Sequence, residues 1–265
     1  MKLSVVTACV GRNDVNRRWL DTTLAACTTK PELTIVTNGS TQEEVDELQG
    51  WLPEWVEGIA IGSLPEPVGS TRAFAIGVGA SHGDVVAAIQ NDVLIHEQGW
   101  DQKLLDFFAE HEDAGVVGFA GAKGLGAGHI NHAPYHFSQL GRWNVYSSLV
   151  DWQHHGAEAT QPVRVVVLDG IALCFRRTAF HDWGGYDLGF FHHMYDNDLS
   201  LSAHFSGRQN YVLPVRCEHL NGQTANCSER YARVAEPMGG DIGVHQAGHL
   251  YFYNKWRHRL PIAVP

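Results

Sequence analysis

The 265-residue chain is 44% apolar and 18% charged, which suffices for one large packed core and excludes a disordered polymer. Its 29 acidic and 19 basic residues give a formal charge of −10, so the chain as a whole carries no basic footprint for nucleic acid or an anionic membrane. A local basic groove is still compatible with that total.

No apolar run approaches the roughly 18 residues that a membrane span needs. Met1 to Val6 enters strand-like sequence at once, without the charged, apolar and small-residue regions of a signal peptide. Cys9, Cys27, Cys174, Cys217 and Cys227 are odd in number and include no CxxC pair, so they read as reduced thiols of a cytoplasmic protein.

Taken in chain order, residues 3–8 are a strand-like run ending near Gly11, after which Asp14 caps a helix carrying Val15, Trp19, Leu20 and Leu24. Residues 33–37 are the next strand, closed by the turn signal Asn38-Gly39. Thr41 and Glu44 form a capping box ahead of Val45, Leu48 and Leu52. Residues 59–61 make a weak third strand. Ser70 or Thr71 caps a small-residue helix reaching Ala80, and residues 85–89 are apolar throughout, as in a buried parallel strand. Trp100, Leu104, Leu105 and Phe108 stripe a further helix, and residues 115–119 form another strand. This alternation predicts a Rossmann-like, mainly parallel α/β sheet.

Residues 121–161 are rich in glycine, histidine and aromatics without a period, and read as a long excursion over a site. Strand signals return at 163–168 and 171–175, around Asp169-Gly170. A short helix starts at Thr178, another spans 196–205, and 211–215 is the last strand. The tail beyond Gly222 shows no strong period until its aromatic and basic end at 251–259. No repeat or low-complexity linker interrupts the chain, so one continuous domain is expected.

Three places carry candidate chemistry. Gln90-Asn91-Asp92 directly follows the apolar strand, so its side chains fall at the carboxyl edge of the sheet, where open α/β sheets bind ligands. A carboxylate there can hold a divalent cation whose shell is completed by phosphates; an ordinary polar turn is the plainer alternative. Asp196-Asn197-Asp198 opens a helix. Carboxylates at i and i+2 do not share a helix face, yet at an N-terminus both can point into a cleft, where free amides favour negative charge. One then suits a general base for an attacking hydroxyl, and capping by Asp196 is the alternative. His219, just beyond the last strand, could complete a metal shell begun by Asp92 or serve only as a structural histidine.

In their order along the chain, these places resemble the family-2 glycosyltransferases of the GT-A fold. Val5-Val6-Thr7-Ala8 with Asp14 resembles the family's opening strand and loop. Ile35-Val36-Thr37-Asn38-Gly39-Ser40 resembles its V-D-N-G-S strand end, and Gly69-Ser70-Thr71-Arg72-Ala73 its G-x-x-R-A helix start. Gln90-Asn91-Asp92 stands at the acidic D-x-D metal motif. Asp169-Gly170, Arg176-Arg177 and Gly184-Gly185-Tyr186-Asp187 follow its G…RR…GG-F-D-E stretch, and Asp196-Asn197-Asp198-Leu199 its E-D-x-D-L. His219 matches the late metal histidine. The likeness covers roughly residues 3–222, each motif being weak alone and the order being the specific part.

The resemblance implies a mixed, mainly parallel GT-A sheet with flanking helices, with residues 1–222 as the glycosyltransferase domain. Residues 223–265 would be an extension packed on the same domain, on the acceptor side. It further implies a hexosyltransferase-type enzyme with a nucleotide-sugar donor, a UDP-sugar first, and transfer with inversion. Thr7, Ala8, Val10 and Asn38 would cradle base and ribose. Asp92 and His219 would hold Mn²⁺ or Mg²⁺ on the donor diphosphate beside Gln90 and Asn91. Asp196 would be the base and Asp198 the second carboxylate of the catalytic pair. Asp169, with Gly170, and Asp198 would orient donor sugar and base, and Arg72 would steady the site. Three positions depart from the pattern. Thr37 replaces the aspartate, which leaves the donor base open; the metal triplet has a single carboxylate; and Tyr195 precedes Asp196 in place of an acid.

Other features have plainer readings. His129, His132 and His136 have zinc-compatible spacing but no cysteine or carboxylate nearby, so a loop with incidental histidines is expected. His192 and His193 border the catalytic helix, where they either touch the acceptor or only pack. The aromatic and basic end, with Arg142, Arg230 and Arg233, would suit a basic acceptor groove or a packed terminal helix. The compact chain is in this respect similar to bacteriophage enzymes that glycosylate hydroxymethylcytosine in DNA. Polysaccharide, lipid or protein acceptors are the alternative within the family. A non-catalytic nucleotide-sugar-binding module, or a metal-dependent hydrolase built on the histidines, are the alternatives outside it.

Overall fold

The computed structural model describes residues 1–56, 58–127, 141–150, 156–220 and 228–265. The first two apolar runs become β1 (Leu3–Cys9) and β2 (Glu32–Asn38), joined by α1 (Asn13–Trp19) and a π-helical turn over Leu20–Leu24. Next come α2 (Gln42–Gln49), β3 (Gly58–Leu64), α3 (Ser70–Gly79), β4 (Val85–Ile89), β5 (Val93–Ile95) and α4 (Trp100–Glu110). The middle of the chain supplies β6 (Ala114–Gly118), β7 (Ala120–Leu125), β8 (Trp143–Ser147), β9 (Ala157–Glu158), β10 (Val163–Val165) and β11 (Val167–Leu168). The remainder holds β12 (Ala172–Arg176), α5 (Arg177–Asp182), α6 (Tyr195–Phe205) and β13 (Gln209–Val212). It closes with β14 (Cys217–His219), α7 (Glu229–Ala235), α8 (Gly240–Trp256) and β15 (Ile262–Ala263).

The main sheet has eight strands in the order β10-β13-β6-β12-β4-β1-β2-β3. The pairs β4–β1, β1–β2, β2–β3 and β13–β6 are parallel, whereas β12 runs antiparallel to both of its neighbours. Strand residues alternate between two buried faces, as the period of two requires. In β4, Val85, Ala87 and Ile89 join one core with Trp19, Trp100 and Phe108. Val86 and Ala88 join the other with Phe74, Phe175 and Phe252. Truncating one such aromatic to alanine costs about 3–5 kcal/mol. Both faces are covered, which explains why β4 is apolar throughout and why β1 is buried along nearly its whole length.

The predicted capping box is present: the Glu44 amide donates to Thr41 Oγ1 at 3.3 Å and the Thr41 amide donates to Glu44 Oε2 at 2.7 Å. Two expected caps are different. Arg12 occupies the first cap with φ 55°, and Asp14 instead receives the Arg12 guanidinium at 2.9 Å from the first turn. Gly69, at φ +82°, stands before α3 because any Cβ there would meet the Phe191 carbonyl oxygen at 2.2 Å.

The larger corrections fall in the middle and the tail. Within 121–161, read as irregular, β7, β8 and β9 form a second sheet with β11, and β15 adds to β7. The run at 163–168 is two strands that serve different sheets, β10 in the main one and β11 in the second. The last strand of the main sheet is β13, two residues ahead of the expected 211. The tail contains the 17-residue helix α8, whose Val244, His245, Gly248, His249 and Phe252 form its buried side. That side mixes histidine and glycine with apolar groups, which hides the helical period. Cys9, Cys27, Cys174 and Cys217 are free thiols, and Cys227 lies outside the described residues. No helix among the described residues is long and apolar enough to cross a membrane.

Candidate active site

Parallel pairing brings the carboxyl ends of β1, β2 and β4 to one edge, and antiparallel β12 returns the loop before it to the same edge. The Gln90 amide donates to the Ile171 carbonyl at 3.0 Å, which ties the end of β4 to Asp169-Gly170. Beyond the edge, β5 and β14 pair in antiparallel register with Val93 opposite His219. The Leu220 amide donates to the Asp92 carbonyl at 2.9 Å and extends that pairing. As a result Asp92 Oδ1 and His219 Nε2, 127 positions apart in sequence, stand 3.5 Å apart with both side chains largely buried. Ligands bound at about 2.1 Å to one cation sit roughly 3–3.5 Å from each other. The separation and the mixed oxygen and nitrogen set therefore fit a divalent cation that also takes phosphate oxygens, and the imidazole favours Mn²⁺ over Mg²⁺. Among the described residues no third histidine, cysteine or carboxylate completes a cluster.

Asp196 stands at the start of α6 and is 5% exposed. Its Oδ1 accepts the Asn197 backbone N–H at 2.8 Å and the Asn197 Nδ2 at 3.0 Å. Its Oδ2 accepts the Gly170 N–H at 2.9 Å. Gly170 reaches this close because it has no side chain: a Cβ would meet Tyr195 Oη at 2.8 Å and Asp196 Cβ at 3.4 Å. Burial pushes the Asp196 carboxyl above the usual carboxylate range; Arg142 opposes that rise and Asp169 adds to it. A base held nearer neutrality accepts a hydroxyl proton more readily than a solvated carboxylate. Tyr195, where the family pattern has an acid, accepts a hydrogen bond from Gln90 Nε2 at 3.4 Å and donates to the Gly170 carbonyl at 3.3 Å. It thereby joins Gln90 of the triplet to the Gly170 loop beside Asp196.

The expected donor residues line the same edge. Thr7 is 3% exposed and its Oγ1 has no hydrogen-bond partner among the described residues, an unsatisfied polar group at the end of β1. Ala8 is half-buried beside it, and Val10, Gly11 and Arg12 border a cleft of about 330 Å³ with Glu44, Arg230 and Arg233. Asn38 Oδ1 accepts the Val68 N–H at 2.8 Å and fixes the turn after β2. Thr37, 1% exposed, donates to the Gly62 carbonyl at 3.3 Å and faces the sheet. Asn91 Nδ2 donates to Asn16 Oδ1 at 2.7 Å, a buried bond that holds α1 against the triplet.

Several expectations change. Asp198 does not accompany Asp196: its carboxylate accepts Trp256 Nε1 at 2.7 Å and Lys255 Nζ at 3.0 Å, so it faces α8. Arg72 is exposed in the first turn of α3 and makes no hydrogen bond or ion pair with the described residues. Among the described residues, several cations expected in a basic acceptor groove have partners within the domain. Arg142 is buried between Asp169 and Asp196, Arg230 donates to Glu44 at 2.6 and 3.1 Å, and Arg259 lies over the Phe205 ring at 5.0 Å. The terminal aromatics pack on the domain, Tyr251 donating to Asp187 at 3.2 Å. His192 Nδ1 lies 2.5 Å from Ser70 Oγ, and His193 Nε2 lies 3.4 Å from Asp241 Oδ1. Their rings belong to a stack with His245 and His249 against α8. His129, His132 and His136 lie outside the described residues. Sequence reasoning missed Asn16, Asn197 and the true place of Arg142; only Asn197, inside a matched motif, carried a signal.

The profile described as "Glycosyl transferase family 2" matches residues 4–194. Among solved structures, the mannosyltransferase PcManGT from Pyrobaculum calidifontis, in complex with GDP-Man and Mn²⁺, superposes with TM-score 0.58 and 14% identity. The match covers 97% of this chain and 71% of that one. GalNAc-T7, solved with UDP, GalNAc and Mn²⁺, gives TM-score 0.62 and 16% identity over 98% of this chain, which spans 56% of its length. S. aureus TarS 1–349 in complex with UDP-GlcNAc gives TM-score 0.58 and 14% identity, covering 97% of this chain and 72% of that one. At these identities the likeness is one of fold. A sequence comparison with curated proteins gives no match. With more than half its length matched by one profile and its sheet superposing on solved GT-A enzymes, the chain belongs to glycosyl transferase family 2 and is a glycosyltransferase.

Proposed function

We propose that this glycosyltransferase moves a sugar from a nucleotide-sugar donor to an acceptor hydroxyl with inversion at the anomeric carbon, and that the transfer depends on a divalent cation. The observation that carries the reading is the convergence of Asp92, His219 and Asp196 at one sheet edge, with Gln90 and Tyr195 linking the two halves. GDP-Man, UDP and UDP-GlcNAc in the solved relatives support a nucleotide-sugar donor, and the Mn²⁺ of two of them supports the cation.

Asp92 and His219 would hold the cation. When bound, it offsets the negative charge that grows on the departing nucleoside diphosphate. Asp196 takes the proton of the acceptor hydroxyl as that oxygen forms its bond to the anomeric carbon. The bond from that carbon to the phosphate oxygen breaks on the opposite side, and its electron pair leaves with the diphosphate. A single displacement of this kind inverts configuration. The Gly170 and Asn197 amides fix the carboxylate while the proton arrives, and the Thr7 hydroxyl is available to the base or ribose.

The donor base is the less specified part. Thr37 is buried against Gly62, so the side chain that stands in the position of the family's aspartate does not reach a base. A UDP-sugar and a GDP-sugar are therefore both in the test. The acceptor is an alcohol, with hydroxymethylcytosine in DNA among the candidates. Of the arginines that first suggested DNA, Arg142 and Arg230 are engaged within the domain and Arg233 is exposed.

The experiment is a screen of nucleotide-sugars with Mn²⁺ for release of nucleoside diphosphate, with glycan, peptide and hydroxymethylcytosine duplex acceptors. Mn²⁺-dependent release from at least one donor, raised by an acceptor and yielding the inverted anomer by NMR, is expected. Donor binding without any release identifies a binding module, and a retained anomer removes the single displacement.

A further inference from the structure

Lone-pair accounting around Asp196 singles out Arg142. A carboxylate offers about four acceptor positions. On Asp196 the described residues fill three of them: two on Oδ1 by Asn197 and one on Oδ2 by the Gly170 amide. The remaining position is on Oδ2, and Arg142 Nη2 faces that oxygen from 3.8 Å, beyond hydrogen-bond distance. The same Nη2 donates to Asn197 Oδ1 at 2.7 Å, so it has a firm partner elsewhere. Nη1 lies 3.7 Å from Asp169 Oδ2. The Arg142 side chain is 7% exposed, as is that of Asp196, so little water screens their attraction.

We propose that Arg142 is a positioning residue that acts through Asp196, keeping the carboxylate ionised inside a buried site while leaving one Oδ2 lone pair for the substrate proton. The inference rests on Asp196 being the base of the reaction proposed above. An arginine in direct contact with both oxygens would hold the charge but fill the place the hydroxyl needs. Without a cation, burial would favour the protonated acid, which accepts nothing. Distance resolves the conflict, because Coulomb attraction persists at 3.8 Å where a hydrogen bond does not. Asn197 is the spacer: it grips both the guanidinium and Asp196 Oδ1 and so sets their separation.

The other groups facing this pair come from every neighbouring element. Asp169, at the start of the loop before β12, competes with Asp196 for the same guanidinium. Tyr195 on α6 and Tyr186 in the loop before it border the carboxylate and stay neutral because burial holds their protons. His249 on α8 lies within electrostatic reach of Arg142 and is neutral above about pH 3.

The test follows the Asp196 carboxyl itself. In protein labelled with ¹³C-aspartate, its resonance is assigned by its absence in Asp196→Asn, and its midpoint is compared between wild type and Arg142→Met. The midpoint in Arg142→Met is expected to rise by at least one pH unit, and the acid limb of kcat/KM to move up by the same amount. The dissociation constant for donor is expected to change less than threefold. Arg142→Lys, which keeps the charge, restores most of the shift. Arg142→Gln retains a donor for Asn197 without the charge, and it reads the same shift should the methionine variant fail to fold. An unchanged or lowered midpoint in a folded neutral variant overturns the proposal. A raised midpoint in a protein that turns over no nucleotide-sugar keeps this inference and overturns the function it rests on.

Discussion

Asp198 Oδ1 accepts the indole N–H of Trp256 at 2.7 Å, across 58 positions of sequence and from the first turn of α6 to the last turn of α8. Lys255 adds its ammonium to the same carboxylate and to Asp187, at 3.0 and 2.7 Å. A residue that the sequence motif assigns to catalysis is thus the anchor of the C-terminal helix. Phe252, one turn earlier, completes that seam by entering the core shared with β4 and β12. Asp198→Ala is expected to cost about 1–3 kcal/mol, because it leaves the half-buried indole N–H of Trp256 without its acceptor and Lys255 with Asp187 alone. Urea unfolding measures the loss, and amide exchange is expected to accelerate along α8 first. A stable variant that has lost only turnover would return Asp198 to the catalytic pair.

Asp196→Asn keeps the shape of the site and removes its capacity to take a proton. Turnover is expected to fall by about 10²–10⁴-fold, the usual contribution of a general base. Donor affinity, read by calorimetry in the presence of Mn²⁺, is expected to stay within a few-fold of wild type. Loss of donor binding with the same variant would place Asp196 on the donor and not on the acceptor proton.

Removing the metal pair should act on the other half of the reaction. Asp92→Ala and His219→Ala are each expected to weaken Mn²⁺-dependent donor binding by about 10-fold or more, and a chelator should have the same effect on wild type. In the double variant the losses should fall short of multiplying, since both residues serve one ion. Electron paramagnetic resonance of bound Mn²⁺ gives a readout independent of turnover. An unaltered spectrum in His219→Ala would leave that imidazole outside the coordination shell.

The histidine stack predicts acid lability with a defined sign. Burial lowers the pKa of His192, His245 and His249 to about 3, 4 and 3, against an ordinary 6.5. Below about pH 6.5 the unfolded chain takes up protons that the folded histidines refuse, so stability falls as pH falls through that window toward 3. Asp241, lowered to about 2 chiefly by its hydrogen bond with His193, adds a loss of the same sign below 3.8. Asp196 and Asp198, both raised by burial, oppose it. The melting temperature is expected to decline from pH 7 to pH 4, more shallowly in His249→Met, by about one proton of uptake. Equal slopes in the two proteins would remove His249 from the effect.

The strands and helices of the first half were legible because each states its environment locally. β4 is apolar at every position since both faces are covered, and α2 announces itself by the Thr41–Glu44 box. Part of the candidate site was legible in the same way: Asp92 follows closely on the apolar run that becomes β4, whereas Asp196 opens a helix and His219 ends a strand of a separate antiparallel pair, so only the order of motifs pointed to those two. The second sheet was not legible. Its strands are short, β7 carries two glycines, and β7 pairs with β11 and β15, which lie far away in sequence. Helix α8 escaped because its buried face, Val244, His245, Gly248, His249 and Phe252, has only two large apolar residues, eight positions apart, which leaves no continuous apolar stripe.

By itself, then, the order of motifs determined the family and the GT-A sheet, because topology carries strand ends to one place whatever the loops do. What each charged side chain is paired with was decided only in three dimensions. Arg142, Arg230 and Lys255 all read as exposed cations along the chain, and each is engaged by a carboxylate that no local pattern points to. Charge pairing acts across space between residues distant in sequence, so it leaves no periodic trace. It was the folded packing of α6 against α8, and the placing of Arg142 between Asp169 and Asp196, that divided two neighbouring aspartates into a candidate base and a structural anchor.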